Sequence, residues 1–261
     1  MPLTPDAPVF IACSHGTDNP RGRAEINRLR DQIQEMRPGL EICEAYVDVQ
    51  EPALPDVVRA IPAGRGAVIV PLLLSVGYHV KVDIAHAAAS RPGTIAALPL
   101  GPDPRLAGLL QVRLTEAGVG ADASVVLAAA GSSDACAAVD VAELREDLVA
   151  LRPGPMRAGF GSAAKPSVTE AVAQARAGDD GAISVASYLL APGYFHDQLA
   201  RAGADIVSAP LLPSPLVAAI ALDRYDAVLR AAAEPATGEC PRPCRPLVSE
   251  CVRFPMPAGA G

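Results

Sequence analysis

Apolar residues recur along this chain in two alternating rhythms. Residues 8–13 form a short unbroken apolar run of strand type, ending in the polar loop Ser14-His15-Gly16-Thr17-Asp18. Over residues 23–36 the apolar positions Ile26, Leu29, Ile33 and Met36 fall at helical spacing, and Arg37-Pro38-Gly39 stops the helix. The same alternation continues. It predicts strands at 40–49, 67–74 and 94–98 and helices at 52–61, 81–90 and 104–117. The third strand ends in a second loop, Ser75-Val76-Gly77-Tyr78-His79.

The order then repeats. Strands are predicted at 124–129, 156–160, 182–189 and 204–209, and helices at 139–150, 167–177, 194–202 and 215–233. The repeat is visible in the letters too. Residues 9–18 align with residues 125–134, setting Gly131 against His15. Residues 73–79 align with residues 189–195, setting Phe195 against His79. Both alignments use a shift of 116 residues. Glu51-Pro52-Ala53 recurs as Lys165-Pro166-Ser167, and the proline cluster at 99–104 recurs at 210–215. Strand–helix alternation in duplicate predicts an α/β fold: two similar doubly wound, parallel-sheet lobes facing a central cleft. The expected units are residues 1–122 and 123–233, with the linker at 118–123. Residues 234–261, with six prolines, form a tail that cannot be regular helix.

Composition narrows the function. Half of the 261 residues are hydrophobic, and there is no Trp. A formal charge of −7 and the scarcity of aromatics argue against a nucleic-acid partner. The longest apolar run, residues 67–76, contains Pro71 and is too short to cross a bilayer. The N-terminus has no signal-peptide pattern. A cytoplasmic enzyme or binding protein is expected. Cys13, Cys43 and Cys136 are scattered and read as small core or loop residues rather than a disulfide framework.

Candidate chemistry lies where strands end. In doubly wound sheets the ligand sits beyond the C-terminal strand ends, and His15 and His79 both fall in loops there. Two converging imidazoles can bind a divalent metal or accept protons near neutral pH. Asp48, at the end of the second strand, is a carboxylate that could serve as their partner or simply cap a helix. His86 reads as a surface residue. His196, one place beyond the position matching His79, reads as a possible contributor from the opposite lobe.

These residues resemble a known family. Ser14-His15-Gly16-Thr17-Asp18, Tyr46-Val47-Asp48 ahead of Pro52, Val70-Pro71-Leu72-Leu73-Leu74 and Gly77-Tyr78-His79-Val80-Lys81-Val82-Asp83-Ile84 look like the sirohydrochlorin chelatases, the class II tetrapyrrole chelatases. The second half resembles the degenerate repeat of long-form, actinobacterial-type members. The resemblance implies insertion of Fe²⁺, or alternatively Co²⁺, into sirohydrochlorin without ATP; a non-catalytic carrier of metal or tetrapyrrole is the competing class. It implies His15 and His79 as metal-site residues, with Asp48 standing where the family often has Glu. Short relatives pair two copies to build the cleft, so a duplicated chain is expected to do so as a monomer. Sirohydrochlorin carries several carboxylates, so local positive charge is expected, with Lys81, Arg21 and Arg23 nearest the histidine loops. Tyr78 and Tyr194 are candidates to lie against the macrocycle.

Three other motifs carry less. Ser14-His15-Gly16 is similar to the Arg-His-Gly of phosphohistidine enzymes but lacks the arginine. Gly159-Phe160-Gly161-Ser162-Ala163-Ala164 has dinucleotide-fingerprint spacing, but Pro166 interrupts the helix it needs. Cys240, Cys244 and Cys251 are one thiolate short of an iron–sulfur or zinc site, and read as either a tail-bound cluster or incidental thiols.

Overall fold

The computed structural model describes residues 7–77 and 79–233. Tyr78 and the tail, with Cys240, Cys244 and Cys251, lie outside the described residues.

Among the described residues, eight strands form two four-stranded sheets. The first holds β1 (Val9–Ser14), β2 (Ile42–Tyr46), β3 (Ala67–Pro71) and β4 (Thr94–Ala96), in the order β2-β1-β3-β4. The second holds β5 (Ser124–Ala129), β6 (Met156–Phe160), β7 (Ile183–Tyr188) and β8 (Ile206–Val207), in the order β6-β5-β7-β8. All pairings are parallel. The central strands β1, β3, β5 and β7 are buried along their whole length, which is why they read as continuous apolar runs rather than alternating ones.

Helices connect the strands: α1 (Pro20–Met36), α2 (Leu54–Ala60), α3 (Ala85–Ala89) and α4 (Pro104–Glu116), then α5 (Ala135–Val149), α6 (Val168–Arg176), α7 (Tyr194–Leu199) and α8 (Pro215–Ala233). Helix α1 starts three residues earlier than its apolar period predicts. Asn19 caps it by accepting from the Arg21 and Gly22 N–H groups, and Pro20 occupies the first turn, where its missing N–H is harmless. Helix α5 likewise starts at Ala135 rather than Val139, because Asp134 accepts from the Cys136 N–H. The helix expected at 81–90 is a π-helical turn (Val80–Ile84) running into α3.

The structure corrects the alignment of the repeat. Gly16 and Gly131 have the same left-handed conformation, φ 96° and 87°, and a Cβ on either would collide with a carbonyl, of Asp48 or Ser162 respectively. Ser14 pairs with Tyr46 as Ala129 pairs with Phe160, and Asn19 caps as Asp134 caps. The first loop therefore repeats at 115 residues, not 116, and Ala130 rather than Gly131 stands where His15 stands. The third-strand loop keeps its shift of 116: Val9 pairs with Ala67 as Ser124 pairs with Ile183, so Phe195 does match His79.

The expected lobes also exchange their last helices. Helix α4, at the end of the first repeat, packs on α5 and β7 of the second. Helix α8 packs on α1 and β3 of the first. Arg113 on α4 donates to the Pro210, Leu211 and Pro213 carbonyls, and Arg224 on α8 donates to the Pro99, Leu100 and Pro102 carbonyls. Tyr225 is fully buried, stacked on Phe10 at 5.4 Å, with its hydroxyl donating to the Pro8 carbonyl. One apolar core consequently runs through both repeats, from Phe10, Leu29 and Ile33 to Leu127, Leu144 and Tyr188.

Candidate metal-insertion site

In the order β2-β1-β3-β4 the connections leave β1 toward one edge and β3 toward the other. The gap beyond the C-terminal ends of β1 and β3 is thus a topological switch point, where such sheets bind ligands. The His15 loop leaves β1 and the His79 loop leaves β3, so the topology brings the two together. Their rings lie 4.8 Å apart between centroids and nearly perpendicular, at 89°. The His15 loop is held by the Gly16 turn, by the Asp48 N–H donating to the His15 carbonyl, and by the Thr17 N–H donating to Gln50 Oε1.

Both imidazoles open into a cavity of about 810 Å³ between the repeats. The first repeat contributes Leu72, Leu73 and Leu74; the second faces them with Ala129, Ala130, Ala138 and Leu190. Tyr194, 72 % exposed, stands at the mouth, edge-on to Phe195. His196 also lines the cavity, with Nε2 3.3 Å from the Ser208 carbonyl.

A carboxylate does reach one of the two histidines, and it is Asp83. Its Oδ2 lies 2.6 Å from His79 Nδ1, across one turn of the π-helical segment. A carboxylate accepting from Nδ1–H fixes the ring's orientation and tautomer and puts the lone pair on Nε2, the edge pointing away from Asp83. The signal for this was the i, i+4 spacing of His79 and Asp83 on a helical segment. Asp48 is placed otherwise. It is exposed, its Oδ1 accepts from the adjacent Val49 N–H, and it lines an adjoining recess of about 380 Å³ that shares Tyr46, Val49 and Gln50 with the cavity.

The expected cations are also elsewhere. Lys81 Nζ lies 2.8 Å from Asp134 across the repeats, away from the cavity lining. Burial opposes the Lys81 charge, but the hydrogen bond to Asp134, the Asp134 charge and the contact with Cys136 together outweigh it and hold the ammonium above its ordinary pKa. Arg23 is spent on the Thr17 carbonyl and Asp18, and Arg21 and His86 are exposed away from the lining. Among the described residues no Lys or Arg lines the cavity. The N-termini of α1 and α5, the partly positive ends of those helices, meet the cavity through Asn19 and through Ser132 and Ser133, and Asp18 is the carboxylate in the same lining. Cys13, beneath the site, is buried; burial, with the nearby Asp83 charge, pushes its thiol up to about 12, so it stays protonated rather than acting as a thiolate ligand.

Among the described residues no group of three or more His, Cys, Asp and Glu side chains forms a cage for a metal ion, and no helix is long and apolar enough to cross a membrane. An open two-imidazole site suits an ion that must be passed on, whereas a closed thiolate cage would retain it.

The family model CbiX matches the chain twice, over residues 9–117 and 124–228. Among solved structures, SirB from Bacillus subtilis with Fe³⁺ superposes with a TM-score of 0.73 at 21% identity, covering 87% of this chain and 97% of that one. The sirohydrochlorin chelatase SirB from Bacillus subtilis subspecies spizizenii in complex with cobalt gives 0.71 at 18% identity, with the same coverage. CbiX, described as the terminal enzyme for biosynthesis of siroheme in denitrifying bacteria, gives 0.62 at 18% identity over 84% of this chain and 98% of its own. No curated protein sequence matches the chain. The architecture is that of a two-lobed, internally duplicated chelatase. The chain belongs to the CbiX family of sirohydrochlorin chelatases.

Proposed function

We propose that this protein inserts Fe²⁺ into sirohydrochlorin, with Co²⁺ as the competing substrate. The observation that carries the reading is the edge-to-face pair of His15 and His79 at the switch point, opening into a large, mostly apolar cavity. His15 and His79 take up the metal as transient ligands, and Asp83 orients His79 so that Nε2 faces the ion. As the metal bonds to the macrocycle nitrogens, two pyrrole N–H protons leave, and imidazole is the base at hand. The apolar wall of the second repeat, with Phe195 and Tyr194, lies against the macrocycle. Carboxylates of the substrate point to the cavity mouth and to the α1 and α5 N-termini, since no lysine or arginine reaches the lining among the described residues.

The preference for iron is supported by the Fe³⁺-bound SirB structure and by the CbiX of denitrifiers described for siroheme biosynthesis; the cobalt-bound SirB supports the alternative metal. The test is anaerobic absorbance of sirohydrochlorin with Fe²⁺ and with Co²⁺. Fe²⁺ insertion faster than the spontaneous reaction, with the higher kcat/KM, is expected. A higher kcat/KM for Co²⁺ reassigns the metal, and no acceleration with either overturns the reading. His15→Ala and His79→Ala should each abolish turnover; full activity in either refutes the site.

A further inference from the structure

The two repeats touch across the cleft with approximate two-fold symmetry. Gly77 of the first repeat faces Ser132 of the second, where a Cβ would lie 3.2 Å from the hydroxyl; Gly193 faces Thr17 in the matching way at 3.6 Å. Each third-strand loop thus rests on the first-strand loop of the other repeat. A symmetric arrangement would hold the two loops alike, but it does not.

Three short polar contacts, beside a longer one from Lys81 Nζ to Cys136 Sγ at 3.5 Å, run between the second repeat and the loop that carries His79. The Tyr188 hydroxyl donates to the Leu74 carbonyl at 2.8 Å. The Val76 N–H donates to the buried Asp140 carboxylate at 2.9 Å. Lys81 pairs with Asp134 at 2.8 Å. Together they grip the segment on both sides of His79.

None of the three can form in the reverse direction. At the place of Tyr188 the first repeat has Leu72, which has no hydroxyl. At the place of Val76 the second has Pro192, which has no N–H to donate, and the counterpart of Asp140, Glu25, pairs with Arg28 on its own helix. At the place of Lys81 the second repeat has Asp197, and the counterpart of Asp134, Asn19, caps α1. The bracing is one-way, toward the loop with the histidine and not toward the loop with Phe195.

We infer that Asp140 and Tyr188 are positioning residues: the second repeat, which lacks the histidines, holds the His79 loop in the geometry that metal transfer requires. This rests on the reading of His79 as a metal-site residue. Packing supports the assignment. Both groups are buried, 2 % exposed each, and a buried carboxylate accepting a backbone N–H fixes the main chain more firmly than a surface contact does. Displacing His79 by even an ångström separates it from His15 and from the metal path.

The test uses full-length protein with Tyr188→Phe, Asp140→Asn and the mirror-site control Glu25→Gln. Tyr188→Phe keeps the ring and removes one hydroxyl, so it stays folded even where Asp140→Asn does not. The readouts are kcat and KM for metal insertion, the affinity and visible spectrum of Co²⁺ added alone, and amide hydrogen exchange over residues 72–82 and 188–198. Tyr188→Phe and Asp140→Asn should lower kcat and Co²⁺ affinity by about 10- to 100-fold. KM for sirohydrochlorin should stay within about twofold, since Asp140 does not line the cavity and Tyr188→Phe keeps the ring that does. Exchange should rise over 72–82 and not over 188–198, and Glu25→Gln should change nothing. Unchanged kcat, spectrum and exchange in folded Tyr188→Phe would overturn the inference. His79→Ala separates the two readings: if it leaves Co²⁺ binding and turnover intact, the site assignment fails, whereas increased exchange over 72–82 in Tyr188→Phe reports the brace regardless of metal.

Discussion

Gly16 and Gly131 offer a built-in comparison, because they occupy the same turn, once directly after a histidine (His15) and once after Ala130. Replacing either by alanine forces an L side chain to φ 96° or 87°, which costs about 1–2 kcal/mol. The added Cβ also runs into the Asp48 carbonyl in one case and the Ser162 carbonyl in the other. Restoring ordinary contact needs a shift of about 1 Å in the turn. In a chain of this size each kcal/mol moves Tm by about 2–4 °C, so both variants should lose several degrees by similar amounts. The consequence for activity differs. The Gly16 turn directly follows His15, and a displacement of about 1 Å at a reacting group is worth as much as 100-fold in rate. The Gly131 turn follows Ala130 and lies in the opposite wall. The assay is thermal melting alongside kcat for metal insertion. Matched melting with a rate loss at least about tenfold greater in Gly16→Ala is expected. Equal rate losses, or an active Gly16→Ala, would refute the placement of His15 at the reacting centre.

Other consequences are equally direct. Asp83→Asn keeps the shape but removes the charge that orients His79, so insertion and Co²⁺ affinity should each fall about 10- to 100-fold; a change under twofold in both, measured by kinetics and by titration of the Co²⁺ spectrum, counts against the Asp83–His79 pair. Leu110→Ala, on the exchanged helix α4 and fully buried, should cost about 2–5 kcal/mol, with both repeats unfolding in one urea transition because the core is continuous; two resolved transitions would contradict that. Burial alone would raise the Asp103 carboxyl, but hydrogen bonds from Arg105 and the Arg224 charge outweigh it and hold it below its ordinary 3.8. A depressed carboxylate stabilises the fold above its unfolded-state pKa, and that contribution is lost as pH falls through the folded value. Stability should therefore drop below about pH 3.8 less steeply in Asp103→Asn than in the parent, as read from urea midpoints between pH 5 and pH 3; parallel curves would refute the link.

Much of this was legible in the letters, for physical reasons. Fully buried parallel strands must be nearly all apolar, so β1, β3, β5 and β7 announce themselves. The loops that follow β1 and β3 must lie at the C-terminal edge of the sheet, so His15 and His79 were found by counting strands. Their mutual approach follows once the strand order is known. Element ends were less legible where a cap decides: Asn19 and Asp134 start α1 and α5 earlier than the apolar stripe does. The repeat is visible, but the letters set its first shift one residue too long, because short apolar strands align almost as well one place over. Only the shared left-handed turn at Gly16 and Gly131 fixes the register.

The sequence by itself determined the local chemistry: which segments are strand or helix, that the unit is doubled, and that the second copy has no histidine at the places of His15 and His79. Tertiary structure decided which groups meet. A helix's apolar stripe does not name the sheet it covers, so the exchange of α4 and α8 was invisible. Asp48 and Asp83 are both plausible acids near a histidine loop, and only the path of the backbone turns one away and sets the other against His79. Lys81 looked like a substrate cation until the second repeat presented Asp134 to it. Charge pairing, helix exchange and the one-way brace all depend on contacts between residues far apart in the chain, and no local pattern specifies those.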